Sequence, residues 1–400
     1  MTLDRPGLRR VPRGVVVLGL VSLCMDLSSE MIHALLPVFL VSTLGASVLT
    51  VGWIEGVAEA TASVAKLFSG VLSDAWGRRK PLVALGYALA AATKPLFPLA
   101  TAPAHVFAAR FVDRVGKGLR GAPRDALIAD LTPAASRGAS YGLRQALDTL
   151  GAVGGPLLAV GLMAASAGDV RFVFWVAAIP ALAAVLLVLA GVEDVAPEPG
   201  RRLLHAPIRR AELSALGRPF AALLVVAALG SLARFSDAFL VLRALDAGLS
   251  ATLVPLALVS MNVAYAASSY PAGALSDRLG RRALLGVGLG VLAVAVLILA
   301  LAPGLAGVFA GVALWGLHLG LTQGLFAALV ADAAPPGVRG SAFGVFHLTT
   351  GAATLAASVL AGALWDGLGP DATFLAGAAL AALAACALVL VRSAWPQSAG

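Results

Sequence analysis

Charged residues are scarce in this 400-residue chain: 12% of its residues are charged and 60% are hydrophobic, with a mean hydropathy of +0.92. A soluble domain carries about 25% charged residues, so this composition excludes one. The apolar runs are too long for soluble core helices. They also lack the alternation of barrel strands, which leaves membrane-spanning helices. The predicted fold class is therefore an all-α integral membrane protein.

Cysteine is scarcer still, and this limits the chemistry further. The two cysteines, Cys24 and Cys386, fall in opposite end segments, so no disulfide framework is expected. No Cys/His array has zinc spacing, so no metal site is predicted. The G-x-G-x-x-G at Gly116–Gly121 follows a membrane helix rather than a strand, and no complete phosphate loop occurs. We therefore expect no catalytic residues, no cofactor and no ATP hydrolysis.

Long hydrophobic runs dominate what remains. Twelve of them are predicted as membrane spans, six on each side of a polar linker that contains Pro197, Pro199 and Gly200. Their approximate ranges are 14–43, 48–72, 81–100, 103–122, 141–165, 171–191, 219–242, 249–275, 283–302, 304–328, 341–363 and 372–391. The predicted domains are a six-helix bundle at 1–191, a central loop at 192–218, and a second six-helix bundle with a short tail at 219–400.

Basic residues set the predicted orientation. They cluster in the N-terminus, in the loops after spans 2, 4, 8 and 10, in the central loop and in the tail. By the positive-inside rule both termini are cytoplasmic, in what we expect to be a prokaryotic plasma or inner membrane. The net charge of +8 then reflects topology and contact with anionic membrane lipid rather than nucleic-acid binding. The chain is expected to act as a monomer.

Two segments occur twice at nearly the same offset. Gly70–Arg79 and Gly273–Arg282 match at seven of ten positions, 203 residues apart. Ala126–Gly142 and Ala328–Gly344 match at eight of 17 positions, 202 residues apart. Two windows at one offset indicate two homologous halves. Parallel halves in a membrane chain are typical of transporters.

The repeated G-x-x-S-D-x-x-G-R-R resembles the signature loops of the major facilitator superfamily, between spans 2 and 3 and between spans 8 and 9. The resemblance covers nearly the whole chain and implies two six-helix bundles that transport a small solute. Asp113–Asp130, DRVGKGLRGAPRDALIAD, is similar to a prokaryotic subset of that superfamily.

The repeated loops predict a cytoplasmic gate. A carboxylate at a helix end can accept hydrogen bonds from a neighbouring helix's N-terminal amides, and glycines allow close helix approach. The arginines can bridge to acids, or can serve only as topology signals. The predicted gate residues are Gly70, Asp74, Gly77, Arg78, Arg79, Asp130, Arg137, Gly273, Asp277, Gly280, Arg281, Arg282, Asp332 and Arg339.

Span 5 carries a glycine pattern that bears on direction. Gly142, Gly151, Gly155 and Pro156 resemble the antiporter motif of drug/proton exporters, although Ala159-Val160 replaces its closing Gly-Gly. The pattern predicts a thin helix that can pack closely and bend. A glycine-rich chain also produces such spacing by composition, so both interpretations stand.

Ionisable residues inside the spans are the candidate site, because charge in a membrane is costly. We predict proton-coupling or cavity roles for Asp26, Glu30, His33, Glu55, Glu59, Arg110, Asp113, Arg114, Asp148, Arg234 and Asp237. Asp26 and Glu30 share one stripe of span 1 and are the first candidates for the proton carrier. Alternatively, acids and bases pair into a neutral scaffold, as we expect for Asp113 and Asp148.

These features predict a secondary active transporter that exports a small solute in exchange for protons. Import or uniport of a metabolite, or export of a metal or metal chelate, is the alternative within transport. A transport-inactive sensor or a polytopic membrane enzyme is the alternative outside it. The doubled loop disfavours an enzyme, because alternating access needs two gates whereas catalysis needs one site.

Overall fold

The computed structural model describes residues 11–76, 78–133, 136–194, 216–334 and 338–391. Within these ranges the side chains of Val71, Asp74, Ala75, Ala274, Asp277 and Arg339 are not described. Every regular element of the described residues is helical, with fifteen α-helices and one π-helical turn. The all-α prediction is confirmed.

The first half of the chain forms eight of these helices. They are α1 (Arg13–His33), α2 (Leu36–Val38), which continues as the π-helical turn Phe39–Thr43, α3 (Val48–Trp76), α4 (Lys80–Thr93), α5 (Leu96–Leu99), α6 (Pro103–Leu131), α7 (Arg137–Ala165) and α8 (Val170–Gly191).

The second half forms the other seven. They are α9 (Gly217–Ala233), α10 (Ala238–Asp246), α11 (Leu256–Leu279), α12 (Arg281–Leu301), α13 (Gly304–Ala333), α14 (Arg339–Leu368) and α15 (Pro370–Leu390). When α1 is joined with α2, α4 with α5 and α9 with α10, the helices make the twelve predicted spans.

Nine of these spans are long and apolar enough to cross a membrane by length and composition, counted over the described residues. The other three are α3, α6 and α11, of 29, 29 and 24 residues. They are long enough to cross, but α3 and α6 carry many of the charged residues assigned to the candidate site. The least apolar helices therefore include those expected to hold the chemistry.

Three predicted spans differ from the observed helices. Span 1 is interrupted: α1 ends at His33, and α2 begins at Leu36 with Pro37 in its first turn. Span 7 is broken at Arg234–Asp237, because Arg234 leaves the helical conformation with φ −111° and ψ 82°. Span 8 begins at Leu256 rather than near residue 249, since turns occupy the preceding residues. Apolar composition cannot reveal these breaks, because the hydrophobic runs continue through them.

Local sequence explains several helix ends. Asp169 caps α8 by accepting hydrogen bonds from the amides of Arg171 (2.9 Å) and Phe172 (3.2 Å). The turn before it uses Gly168 at φ 87°, a conformation that favours glycine. Gly280 at φ 83° separates α11 from α12 in the second signature loop.

The chain divides into two compact units. Unit 1 comprises Met1–Ile32, Ala65–Ala100 and Ala104–His205, and unit 2 comprises His33–Val64, Thr101–Pro103 and Ala206–Gly400. Helix α3 belongs to unit 2 up to Val64 and to unit 1 from Ala65 onwards. The predicted division into two bundles and a central loop stays a prediction, and most of that loop lies outside the described residues.

Each unit has its own apolar core. In unit 1, Val21 and Met25 of α1 pack with Tyr87 of α4 and Ala184 of α8. In unit 2, side chains from α9, α12, α13 and α15 share a core that includes Phe220, Leu285 and Leu329. These cores position the polar side chains described next.

Candidate functional site

Helix α6 carries a stripe of charge through unit 1. Arg110, Asp113 and Arg114 are buried, whereas Lys117, one turn further on, is exposed. Their spacing of three and four residues places them on one helix face, as the sequence predicted. Burial of three charged side chains in one turn requires nearby counter-charges.

Asp113 is the centre of that stripe. Its Oδ1 accepts a hydrogen bond from Nζ of Lys94 at 3.0 Å, and its Oδ2 lies 3.7 Å from Nε of Arg114. Lys94, which follows the last residue of α4 and is only 1% exposed, also donates to Oγ of Ser29 at 3.1 Å. The expected pairing of Asp113 with an arginine therefore holds, but its closer partner is a lysine.

The acids of α1 lie directly against the glycines of α7. A Cβ placed on Gly151 would lie 2.8 Å from Cβ of Asp26, and one placed on Gly155 would lie 2.7 Å from Cβ of Glu30. Only glycine permits this approach at those two positions. The structure thus brings together two groups that the sequence predicted separately, the acidic stripe of α1 and the glycine motif of α7.

The rest of the α7 motif behaves differently. Among the described residues, nothing lies within 4 Å of a Cβ placed on Gly142. Pro156 is buried inside α7, which continues without interruption to Ala165. The motif is therefore a contact surface at Gly151 and Gly155, and Gly142 takes no part in it.

A second polar group in unit 1 links α1, α4, α6 and α7. Nη1 of Arg144 donates to Oδ2 of Asp148 at 2.5 Å, which is the expected pairing. Nη1 of Arg124 donates to Oγ of Ser22 at 2.8 Å and lies 3.5 Å from Oη of Tyr87. Asp26 lies within electrostatic range of both Asp148 and Arg124. The acids of α1 are thus surrounded by charges from two other helices.

Unit 2 holds a smaller, more acidic group. Oδ1 of Asp237 accepts a hydrogen bond from Nε1 of Trp315 at 3.1 Å, at the break between α9 and α10. Nδ1 of His33 lies 3.9 Å from Oε2 of Glu55. Arg234, Glu55 and Glu59 lie within electrostatic range of Asp237. Five of the eleven predicted cavity residues therefore lie in this group: His33, Glu55, Glu59, Arg234 and Asp237.

The two signature loops form equivalent ion pairs. Nε of Arg79 donates to Oδ2 of Asp130 at 2.5 Å in unit 1. Arg281 and Asp332 pair in the same way in unit 2. Arg79 directly precedes α4, and Arg281 is the first residue of α12. Each arginine pairs with an aspartate in the last turn of another helix, 51 residues later in the chain. The predicted bridges between the loop arginines and these acids are present.

Other predicted gate residues have individual environments. Gly70 packs at ordinary distance, 3.5 Å, against Cβ of Ala122. The close approach expected at Gly273 is wrong for this structure, because no described atom lies within 4 Å of its Cβ position. Arg282 donates to the carbonyl of Leu388 at 2.7 Å. Arg78 and Arg137 are exposed.

The contacts of four predicted gate residues are not described. Gly77 lies outside the described residues, and the side chains of Asp74, Asp277 and Arg339 are not described. Their roles stay predictions.

Three polar residues of these groups were missed in the sequence. Tyr87 and Trp315 read as apolar core residues because they lie in long hydrophobic runs. Arg120 is buried, with its guanidinium 4.7 Å from the centre of the Tyr87 ring. Its place seven residues after Asp113 was the one signal in the sequence, since that spacing returns to the same helix face.

The comparison with known proteins identifies the family of this fold. The profile of the Major Facilitator Superfamily matches residues 18–243 and 235–398. The chain belongs to this superfamily. Its members move solutes across membranes and are not enzymes, so the chain is a multi-pass membrane transporter of a small molecule.

Three similar proteins illustrate the relationship. An uncharacterised MFS-type transporter of Methanocaldococcus jannaschii is 29% identical over 389 residues, which is 96% of each chain. The multidrug resistance protein MdtH of Photorhabdus laumondii is 30% identical over 157 residues, 39% of this chain and 38% of MdtH. The crystal structure of a POT family transporter, with a bound thioalcohol-conjugated peptide, has a TM-score of 0.82 at 13% identity and covers 96% of both chains.

Proposed function

We propose that this transporter exports a small solute in exchange for protons, by alternating access, from a prokaryotic cell whose cytoplasm holds both termini. The observation that carries the proposal is the contact of Asp26 and Glu30 with the glycines of α7, inside a shell of α6 and α7 charges. Arg110, Arg114 and Lys117 lie within electrostatic range of Glu30.

Such a contact can couple proton uptake to helix movement. Asp26 and Glu30 are one turn apart, and two ionised carboxylates that close repel each other. Uptake of a proton by either one changes the charge at a place where α1 and α7 touch at backbone distance. The two helices therefore have different preferred contacts in the two protonation states, which is what coupling requires.

Two observations favour export over import. Gly151 and Gly155 belong to the pattern that resembles the antiporter motif, and both make the close contacts such a motif would need. The partial similarity to MdtH, whose name denotes multidrug resistance, also favours export. In the proposed cycle, the pairs Arg79–Asp130 and Arg281–Asp332 close the cytoplasmic side and break when it opens.

A transport assay tests the proposal. A thermal-shift screen of small solutes on purified protein first supplies a cargo. Proteoliposomes with an imposed pH gradient should then concentrate that labelled cargo. The double variant Asp26→Asn, Glu30→Gln should lose uphill transport yet keep part of the downhill exchange, because exchange needs no net proton movement.

Glu193→Gln is the control, since this exposed residue lies beyond the end of α8. It should transport like the wild type. If the double variant still concentrates cargo against its gradient, the proton is carried elsewhere, and Glu55, Glu59 or Asp237 would be examined next. A wild type that exchanges cargo but ignores the pH gradient would make the protein a uniporter.

A further inference from the structure

The N-terminal part of α3 packs against α14 along a line of small residues in unit 2. A Cβ placed on Gly56 would lie 2.9 Å from Cδ1 of Leu355, and one placed on Gly362 would lie 2.6 Å from Cα of Leu49. At Gly52 the Cβ would meet the carbonyl oxygen of Ser358. We call this contact between α3 and α14 the seam. A side chain at any of these glycines would clash with the facing helix, so the backbones approach closely there.

One end of the seam is closed by a side chain. Asp366, in the last turn of α14, accepts hydrogen bonds from the amide of Val48 at Oδ1 (3.1 Å) and from the amide of Leu49 at Oδ2 (2.8 Å). The next amide, of Thr50, donates to Oγ of Ser47 at 3.1 Å. The first three amides of α3 are therefore satisfied, two of them by a residue more than 300 positions away.

Asp366 differs from an ordinary structural cap in two respects. It is exposed, and among the described residues no cation lies within 4.0 Å of its carboxylate. The equivalent residue of the first half, 202 positions earlier, is Ala164 in α7. Since the same fold is built there without a carboxylate, the fold does not require one at this position.

The seam also joins elements that the sequence repeat places in different halves. By the repeat, α3 is the counterpart of α11 and ends in the first signature loop, whereas α14 is the counterpart of α7. Apart from the two Asp366 bonds, the seam contacts named above are van der Waals contacts of glycine positions. None of these glycine contacts involves a charged side chain.

We propose that Asp366 is a releasable latch: its two hydrogen bonds hold the seam closed where α3 begins and α14 ends, and they break when that end opens. This inference rests on the proposed transport cycle, because only alternating access requires that end to open. The carboxylate supplies charge-assisted bonds to a helix N-terminus, which are stronger than neutral ones. The exposed position lets water replace those bonds when the helices part.

The test is a distance measurement that needs neither cargo nor a pH gradient. In a Cys24→Ser, Cys386→Ser background, spin labels are placed at Trp53→Cys on α3 and Leu360→Cys on α14, positions that are about half exposed. Pulsed electron paramagnetic resonance in lipid nanodiscs gives the distance distribution. Asp366→Asn should produce at least a threefold gain in a longer-distance population relative to the same labelled protein with Asp366 intact.

Two further variants make the result specific. Asp371→Asn, which removes a residue 3.1 Å from Arg243 at the start of α15, should leave the distribution unchanged. Asp366→Glu keeps the carboxylate and should restore most of the short-distance population. The latch is wrong if Asp366→Asn leaves the distribution unchanged, if Asp371→Asn shifts it equally, or if Asp366→Glu behaves like Asp366→Asn. Failure of proton-driven transport in proteoliposomes would instead overturn the proposed coupling and leave this distance result intact.

Discussion

Helices α6 and α13 are counterparts in the sequence repeat, yet only α6 carries charge through the membrane. At the repeat offset of 202, Asp130 corresponds to Asp332 and Asp113 corresponds to Trp315. The five cations of α6 also have uncharged counterparts. Arg110, Arg114, Lys117, Arg120 and Arg124 correspond to Val312, Gly316, Leu319, Thr322 and Phe326, in that order. Five cations in one helix are thus replaced by residues without charge in the other.

The packing of the two helices is nevertheless the same where it can be compared. In unit 1 a Cβ on Gly86 would lie 2.8 Å from Cβ of Arg120, and in unit 2 a Cβ on Gly288 would meet Cγ2 of Thr322. Both members of each contact are related by the 202-residue offset. The fold therefore needs these close approaches and tolerates very different side chains beside them.

This difference separates structure from function. Because α13 folds and packs without a charged stripe, the stripe of α6 is not a requirement of the architecture. Buried ionisable groups in a membrane are costly and are retained where they act. The comparison therefore supports the assignment of the α6 and α1 charges to the transport step. The following variants test that assignment.

The largest effect is expected at Asp113. Replacement by Asn leaves Lys94 and Arg114 buried beside a neutral side chain, and loss of one partner of a buried ion pair costs about 3–5 kcal/mol. Asp113→Asn should therefore strongly lower the thermal stability of the purified protein and its yield in the membrane. Thermal unfolding in detergent measures the change.

Removal of both partners provides the control. Lys94→Met combined with Asp113→Leu should be more stable than Asp113→Asn alone, because Arg114 is then the one cation of the pair that loses the Asp113 charge, rather than Arg114 and Lys94 together. Equal stability of wild type and Asp113→Asn would mean that the stripe is solvated rather than paired, and the contrast with α13 would lose its energetic basis.

Much of the fold follows from the sequence, because hydrophobic run length and the repeat are both explicit in it. The stripe of α6 was also predictable from residue spacing. Its partner Lys94 was not, because the pairing depends on where α4 ends, and the bond of Trp315 to Asp237 depends on the break at Arg234–Asp237. Asp366 was missed because an acid in a helix's last turn has no pattern that indicates a distant partner.

The contact between α1 and α7 should respond next most strongly. Gly155→Leu adds four heavy atoms where the first would already lie 2.7 Å from Cβ of Glu30 and 2.9 Å from the carbonyl oxygen of Leu27. Overpacking of this kind costs about 3 kcal/mol at its upper range, and transport should be abolished. Gly142→Leu should transport normally, because its Cβ position has no described neighbour within 4 Å. Full transport by Gly155→Leu would mean that the glycine pattern reflects only the glycine-rich composition of the chain.

A moderate effect is expected at Trp315, the α13 counterpart of Asp113. Trp315→Phe removes the hydrogen bond to Asp237 while it keeps an aromatic ring beside Phe235, whose ring centre is 5.5 Å away. A hydrogen bond to a charged group is worth about 1.5 kcal/mol at the low end, so thermal stability should fall modestly. Phe235→Leu, which alters packing but no hydrogen bond, is the companion variant. A pH-dependence of stability that is identical in wild type and Trp315→Phe would show that the bond does not influence Asp237.

The smallest effect is expected where the two halves are most alike. Arg79–Asp130 and Arg281–Asp332 are equivalent, partly exposed ion pairs, and such pairs contribute about 0.2–1 kcal/mol. Double-mutant cycles with Arg79→Gln, Asp130→Asn, Arg281→Gln and Asp332→Asn should therefore give small and similar coupling energies in thermal unfolding. Breaking either pair should raise the reactivity of engineered cysteines at the cytoplasmic side, because both are proposed to close it. A coupling energy several times larger in one half would contradict a symmetric gate and would mean that the two halves also differ at these helix ends. Unchanged cysteine reactivity in both halves would mean that the ion pairs do not close the cytoplasmic side.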